Sequence, residues 1–177
     1  MTTLFDGVTP SARMLPRNIS YNMLVANYGG SNGAIDNDDG SLFFENNHNF
    51  AVYGHQKFKV GAISSYGNIL AYVTDFAGSW NALGDDGYAP NSMHDNTVIF
   101  SPAGSGQYHD CSWGAGLSRA NALYGAAHVS GAGCKAAMTL AQWQALAPAD
   151  NDAGSTANET LPAADEIVGW ARALLGW

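Results

Sequence analysis

The stretch Leu42-Phe-Phe-Glu-Asn-Asn-His-Asn49-Phe-Ala-Val52 decides the reading of this chain. Asn49 stands directly before a short apolar run. The same pairing recurs in Asn22-Met-Leu-Val25, Asn68-Ile-Leu-Ala71, Asn96-Thr-Val-Ile99 and Asn121-Ala-Leu-Tyr124. The asparagines are 27, 19, 28 and 25 residues apart. The match reaches upstream as well. Leu15, Leu42, Gly61 and Ala89 lie seven positions before their asparagine, and Phe44 and Ile63 lie five before. Clusters of Gly, Asn, Asp and Ser separate the runs, which is turn chemistry. Short strands at an irregular period of about 20–28 residues predict a coil whose turns carry loops of different length. One turn cannot bury its apolar side alone, but turns stacked at a strand spacing of about 4.8 Å share one core. An asparagine repeated at one corner suits such a stack. Its amide both donates and accepts, and asparagine tolerates left-handed backbone.

Composition narrows the function classes. The chain has 177 residues, 7 Lys+Arg against 15 Asp+Glu, and a net charge of −8. It is 46% hydrophobic and only 12% charged, with 21 Gly. That excludes an intrinsically disordered tail, which needs low hydrophobicity and high charge. It argues against nucleic-acid binding, which needs clustered Lys and Arg. No window holds the roughly 18 unbroken apolar residues of a membrane span, so no membrane partner is expected. Residues 1–16 lack the basic and apolar regions of a signal peptide.

Thr139 followed by Gln142 reads as a capping box, predicting a short helix to about Leu146. The segment 148–161 reads as a polar loop. Pro162 opens a second helix with Asp165 and Glu166 in its first turn. Ile167, Trp170, Ala171 and Leu174 fall on one stripe, so this helix is expected to lie against the coil and cover part of it. The reading is a single domain, with rungs over about 15–135 and helical closure over 138–177. No comparable cap is evident at the other end, which predicts the C-terminal portion of a longer coil.

These features resemble the right-handed parallel β-helix proteins of the pectate-lyase-like superfamily. The resemblance rests on the rungs over 15–125, on Ala34-Ile-Asp-Asn-Asp-Asp-Gly-Ser41 leading into Leu42–Asn49, and on Thr139–Leu146 followed by Asp150-Asn-Asp-Ala-Gly-Ser155. It implies an all-β solenoid of about five rungs with short C-terminal α-helices. It also implies a carbohydrate-active protein with an extracellular or secreted location.

Positions at equal distance from the corner asparagines should stack. Eleven before Asn49, Asn68, Asn96 and Asn121 lie Asp38, Lys57, Asp85 and Asp110. Ten before lie Asp39, Phe58, Asp86 and Cys111, and thirteen before lie Asp36, His55, Leu83 and Tyr108. His109 is twelve before Asn121. Stacked carboxylates repel one another, so a lysine, a hard cation or a proton must intervene. This predicts a site with Lys57, Asp38 and His55 as catalytic groups. Lys59, Tyr88, Asp110 and His109 would contact substrate. Asp36, Asp38, Asp39, Asp85 and Asp86 would hold Ca²⁺, a cation suited to carboxylate oxygens. The fitting chemistry is β-elimination on an acidic polysaccharide, in which a lysine removes the proton beside a uronate carboxylate. Some β-helix lyases combine calcium with a lysine, so the resemblance points the same way. Rival readings are a glycoside hydrolase using an Asp pair, a non-catalytic carbohydrate-binding module, and a plain surface charge ladder. Asp38-Asp39 with Gly54-His55 resembles the polygalacturonase-type arrangement. Asp36-Asn-Asp-Asp-Gly40 fails the EF-hand pattern, because Gly40 stands where an acid or amide is needed. Cys111 and Cys134 are 23 apart, close to one rung, and form either a disulfide or two buried thiols.

Overall fold

The computed structural model describes residues 16–25, 33–38, 41–59, 61–78, 90–111, 117–148 and 151–177. These residues are mostly sheet, with parallel strands and two helices. The strands are β1 (Arg17–Ser20), β2 (Met23–Val25), β3 (Ile35–Asn37), β4 (Phe44–Asn47), β5 (Phe50–Val52), β6 (Gln56–Phe58), β7 (Ser64–Tyr66), β8 (Ile69–Val73), β9 (Ser92–His94), β10 (Thr97–Phe100), β11 (Ser118–Arg119), β12 (Ala122–Tyr124) and β13 (Thr156–Asn158). The helices are α1 (Leu140–Leu146) and α2 (Ala164–Leu175).

The chain visits three sheets in rotation. The first runs β1-β4-β7-β9-β11, the second β2-β5-β8-β10-β12-β13, and the third pairs β3 with β6. Single parallel bridges continue the third sheet from Gln56 to Gly78, from Phe76 to Gln107 and from Gln107 to His128. Register follows the asparagines. Leu24, Ala51, Leu70, Val98 and Leu123 stand side by side in the second sheet. All five belong to the central apolar cluster or pack against it. The alternate residues Phe50, Ile69, Ala71 and Ile99 face the other way and bury against Ile167 and Ala171 of α2. The second sheet is therefore covered on both faces at β5, β8 and β10, which explains their unbroken apolar runs.

The corner between the first two sheets is sewn by a ladder. Asn22, Asn49, Asn68 and Asn96 each donate their backbone N–H and side-chain amide to Oδ1 of the next asparagine, at 2.9–3.1 Å. Asn121 ends the row by donating its N–H to Ser155 Oγ at 2.9 Å. The left-handed residue is not the asparagine but the one before it. Tyr21, His48, Gly67, Asp95 and Ala120 have φ between 51° and 64°. Asparagine is thus selected for its amide, and the strained turn is carried by its neighbour. Replacing Asn68 by Leu would orphan the N–H of Asn49 and the carbonyl of Asn46, to which the Asn68 amide also donates. The expected loss is about 2 kcal/mol, read from urea unfolding.

The closure departs from expectation at one place. Residues 148–161 are not simply loop, because β13 adds to the second sheet beside β12. α1 is capped as expected, with Thr139 accepting from the Gln142 N–H and Gln142 accepting from the Thr139 N–H. α2 ends on Gly176 at φ 76°, whose backbone N–H reaches the Arg172 carbonyl. Cys111 and Cys134 form a disulfide.

Candidate functional site

The acidic patch is built on the third sheet. β3 lies parallel to β6, with Asp36 opposite Lys57 and Asn37 opposite Phe58. Gln56 and Phe58 are fully buried. Strand alternation turns Lys57 to the opposite face, alongside Asp36. Its Nζ lies 3.3 Å from Asp36 Oδ1 and 3.2 Å from Asp38 Oδ1. Lys59 Nζ reaches the same Asp38 oxygen at 3.1 Å. The Lys57 side chain is 8% exposed, Asp36 31% and Asp38 52%. Two lysines thus converge on one half-exposed carboxylate.

The stacking differs from the counted columns. Counting placed Asp38 opposite Lys57, Asp36 opposite His55 and Asp39 opposite Phe58. The strands slip by two because the turn 38–43 is two residues longer than the turn 59–62. Asp38 still reaches Lys57, but from the turn. Asp39, Asp85, Asp86 and Tyr88 lie outside the described residues.

His55 sits just before β6. Its ring is buried and tilted on Phe76, with centroids 4.2 Å apart. Its carbonyl accepts from the Ala34 N–H at 2.7 Å. A Cβ on the neighbouring Gly54 would collide with the side chain of Ala34, so this glycine lets two turns stack. Asp110 and His109 lie on a later layer, where the Tyr108 N–H bonds the His128 carbonyl. The structure does not bring them to Lys57.

Ca²⁺ takes 6–8 oxygen ligands. Among the described residues, Asp36 and Asp38 are the predicted ligands present, and each commits an oxygen to a lysine. Among the described residues no group of three His, Cys, Asp or Glu side chains is placed to hold a metal. On these residues the donor set does not fit Ca²⁺.

His109 belongs to a different, closed cluster around Asp152, which is 1% exposed. Asp152 Oδ2 accepts from His109 Nε2 at 2.8 Å and from the Trp143 indole N–H at 3.0 Å. Its Oδ1 accepts from the hydroxyls of Ser118 at 2.8 Å, Tyr108 at 3.1 Å and Ser155 at 3.1 Å. The other His109 nitrogen faces the Asp110 carbonyl at 2.8 Å. Burial works to raise the Asp152 pKa, but the hydrogen bond and charge of His109, then Ser118 and Tyr108, hold it below the usual carboxylate value. Burial and the Asp152 charge push the Tyr108 hydroxyl well up.

Sequence reasoning did not reach Asp152 or Trp143 as partners of His109, nor Ser155 as a further donor to Asp152, because 43 residues separate His109 from Asp152. It also passed over a file of rings along the sewn corner. Tyr21 stacks on His48 at 5.1 Å, His48 meets Tyr66 edge-on at 5.9 Å, and Tyr66 stacks on His94 at 5.3 Å. The signal was present, since each ring stands one or two residues before a corner asparagine.

No helix among the described residues is long and apolar enough to cross a membrane. Comparison of the chain with protein-family models, with curated proteins and with solved structures finds no match.

Proposed function

We propose that this chain is a carbohydrate-active right-handed parallel β-helix that engages an acidic polysaccharide at the Lys57 patch. The single observation behind this reading is Asp38, whose half-exposed carboxylate is shared by Lys57 and Lys59 at 3.2 and 3.1 Å. The two ammonium groups define a place that fits a carboxylate. A uronate carboxylate displacing Asp38 would find both lysines already positioned. In cleavage, Lys59 would hold that carboxylate while the Lys57 amine takes the proton from the carbon beside it; the glycosidic C–O bond breaks, solvent protonates the departing sugar oxygen, and an unsaturated sugar remains. The described residues give no cation a step in this.

A second reading, a non-catalytic binding module, is favoured by the double pairing of Lys57. Those contacts are the contacts of an ammonium already neutralised, and elimination needs the amine released from them.

One assay separates the readings. The protein is incubated with pectic, alginate and glycosaminoglycan polymers, with Ca²⁺ or with chelator. Near-ultraviolet absorbance follows the unsaturated uronate, and reducing ends are assayed in parallel. Elimination gives absorbance that falls about 10²–10⁴-fold in Lys57→Ala. Reducing ends without absorbance indicate hydrolysis. Silence in both, with retardation in a polymer-containing gel that Lys57→Ala and Lys59→Ala relieve, indicates the module. No retardation and no product overturns the carbohydrate reading.

A further inference from the structure

The disulfide, the hairpin that carries Cys134 and α1 line an open cavity of about 440 Å³ that the Lys57 patch does not use. Its lining includes the Cys111–Cys134 bridge, Met138, Trp143, Leu146 and Lys135. Cavities for small molecules fall in a range of roughly 300–1,000 Å³ and are mostly apolar, with few orienting polar groups. Each wall here is fixed independently. The hairpin closes through reciprocal backbone bonds between Val129 and Met138, at 2.8 and 2.9 Å. Cys134 is tied both to Cys111 through sulfur and to the Gly131 carbonyl through its N–H. Trp143 is held by its indole N–H on Asp152 at 3.0 Å. An aromatic face, a thioether and a disulfide therefore form a preformed apolar floor.

Among the described residues, Lys135 is the only charged side chain in that lining. It is exposed and has no carboxylate partner among the described residues. The other described lysines, Lys57 and Lys59, are both paired with aspartate. In a chain of net charge −8, Lys135 is the described lysine that stands beside an apolar cavity with no acid among the described residues. Its charge complements an anion, and the floor complements an apolar body. We infer that this cavity binds a small amphipathic carboxylate, with its aromatic or alkyl part against Trp143 and Met138 and its carboxylate at Lys135. The inference is independent of the carbohydrate reading, since it uses none of the same residues.

Isothermal titration with 4-phenylbutyrate, and with its neutral amide as comparison, tests it. The expected result is saturable one-to-one binding with the carboxylate at least fivefold tighter than the amide. Lys135→Gln should remove that preference and leave the amide unchanged. Ala136→Phe, at a second lining position, should abolish binding of both, with the melting temperature checked to show that the fold is kept. No binding by the intact protein overturns the proposal. Equal affinity for acid and amide overturns it too, as does full binding by a folded Ala136→Phe variant.

Discussion

Asp152→Ala will lower stability by about 3–5 kcal/mol, since each buried donor left without its acceptor costs about 1–3 kcal/mol. The size follows from how much converges on one carboxylate. Five donors from His109, Trp143, Ser118, Tyr108 and Ser155 end on its two oxygens. Truncation would leave a buried imidazole, an indole N–H and three hydroxyls without their acceptor. At this chain length the melting temperature should fall by roughly 10 °C or more. The pH dependence gives an independent check. The folded pKa of Asp152 is lowered, so its contribution is fully present above the unfolded carboxylate value near 4 and disappears as pH falls through the folded value. Asp152→Asn keeps the shape without the charge. Its stability should lie below that of the parent at pH 7 and converge on it in acid. A variant whose deficit is constant from pH 7 to pH 2 would show that the charge of Asp152 does not matter.

Opening the disulfide should cost nearly as much. Cys111 and Cys134 close a loop of 23 residues, for which the chain-entropy relation gives about 3 kcal/mol. Cys111→Ser with Cys134→Ser should therefore lower the urea midpoint and steepen the slope, because the unfolded chain expands once the loop is open. Cys111 and Cys134 also join the central apolar cluster, and the hairpin they anchor forms one wall of the cavity beside Lys135. Reduction of the parent should reproduce the variant. An unchanged midpoint in both would mean that the hairpin is held by its hydrogen bonds without help from the disulfide.

The parallel sheets were legible because their signal is local. Each corner asparagine and its apolar run fit within four residues, and stacking preserved their register from Asn22 to Asn121. The site was less legible because it depends on turn length. Two extra residues between β3 and β4 moved Asp36 into the place counted for Asp38, although both acids still reached Lys57. The Asp152 cluster was hidden for a different reason. Its donors come from segments as far as 44 residues apart, and no periodicity links them. His109, read as a substrate contact, is instead a buried donor to Asp152, and Tyr108 donates beside it.

The sewn corner also separates two quantities that a chain normally ties together. Successive layers use 27, 19, 28 and 25 residues, yet each advances the stack by one asparagine. The intervals thus differ by up to nine residues while the ladder keeps its one-to-one pairing of asparagines. The number of strands side by side in the second sheet is therefore tied to the count of asparagines and not to the number of residues between them.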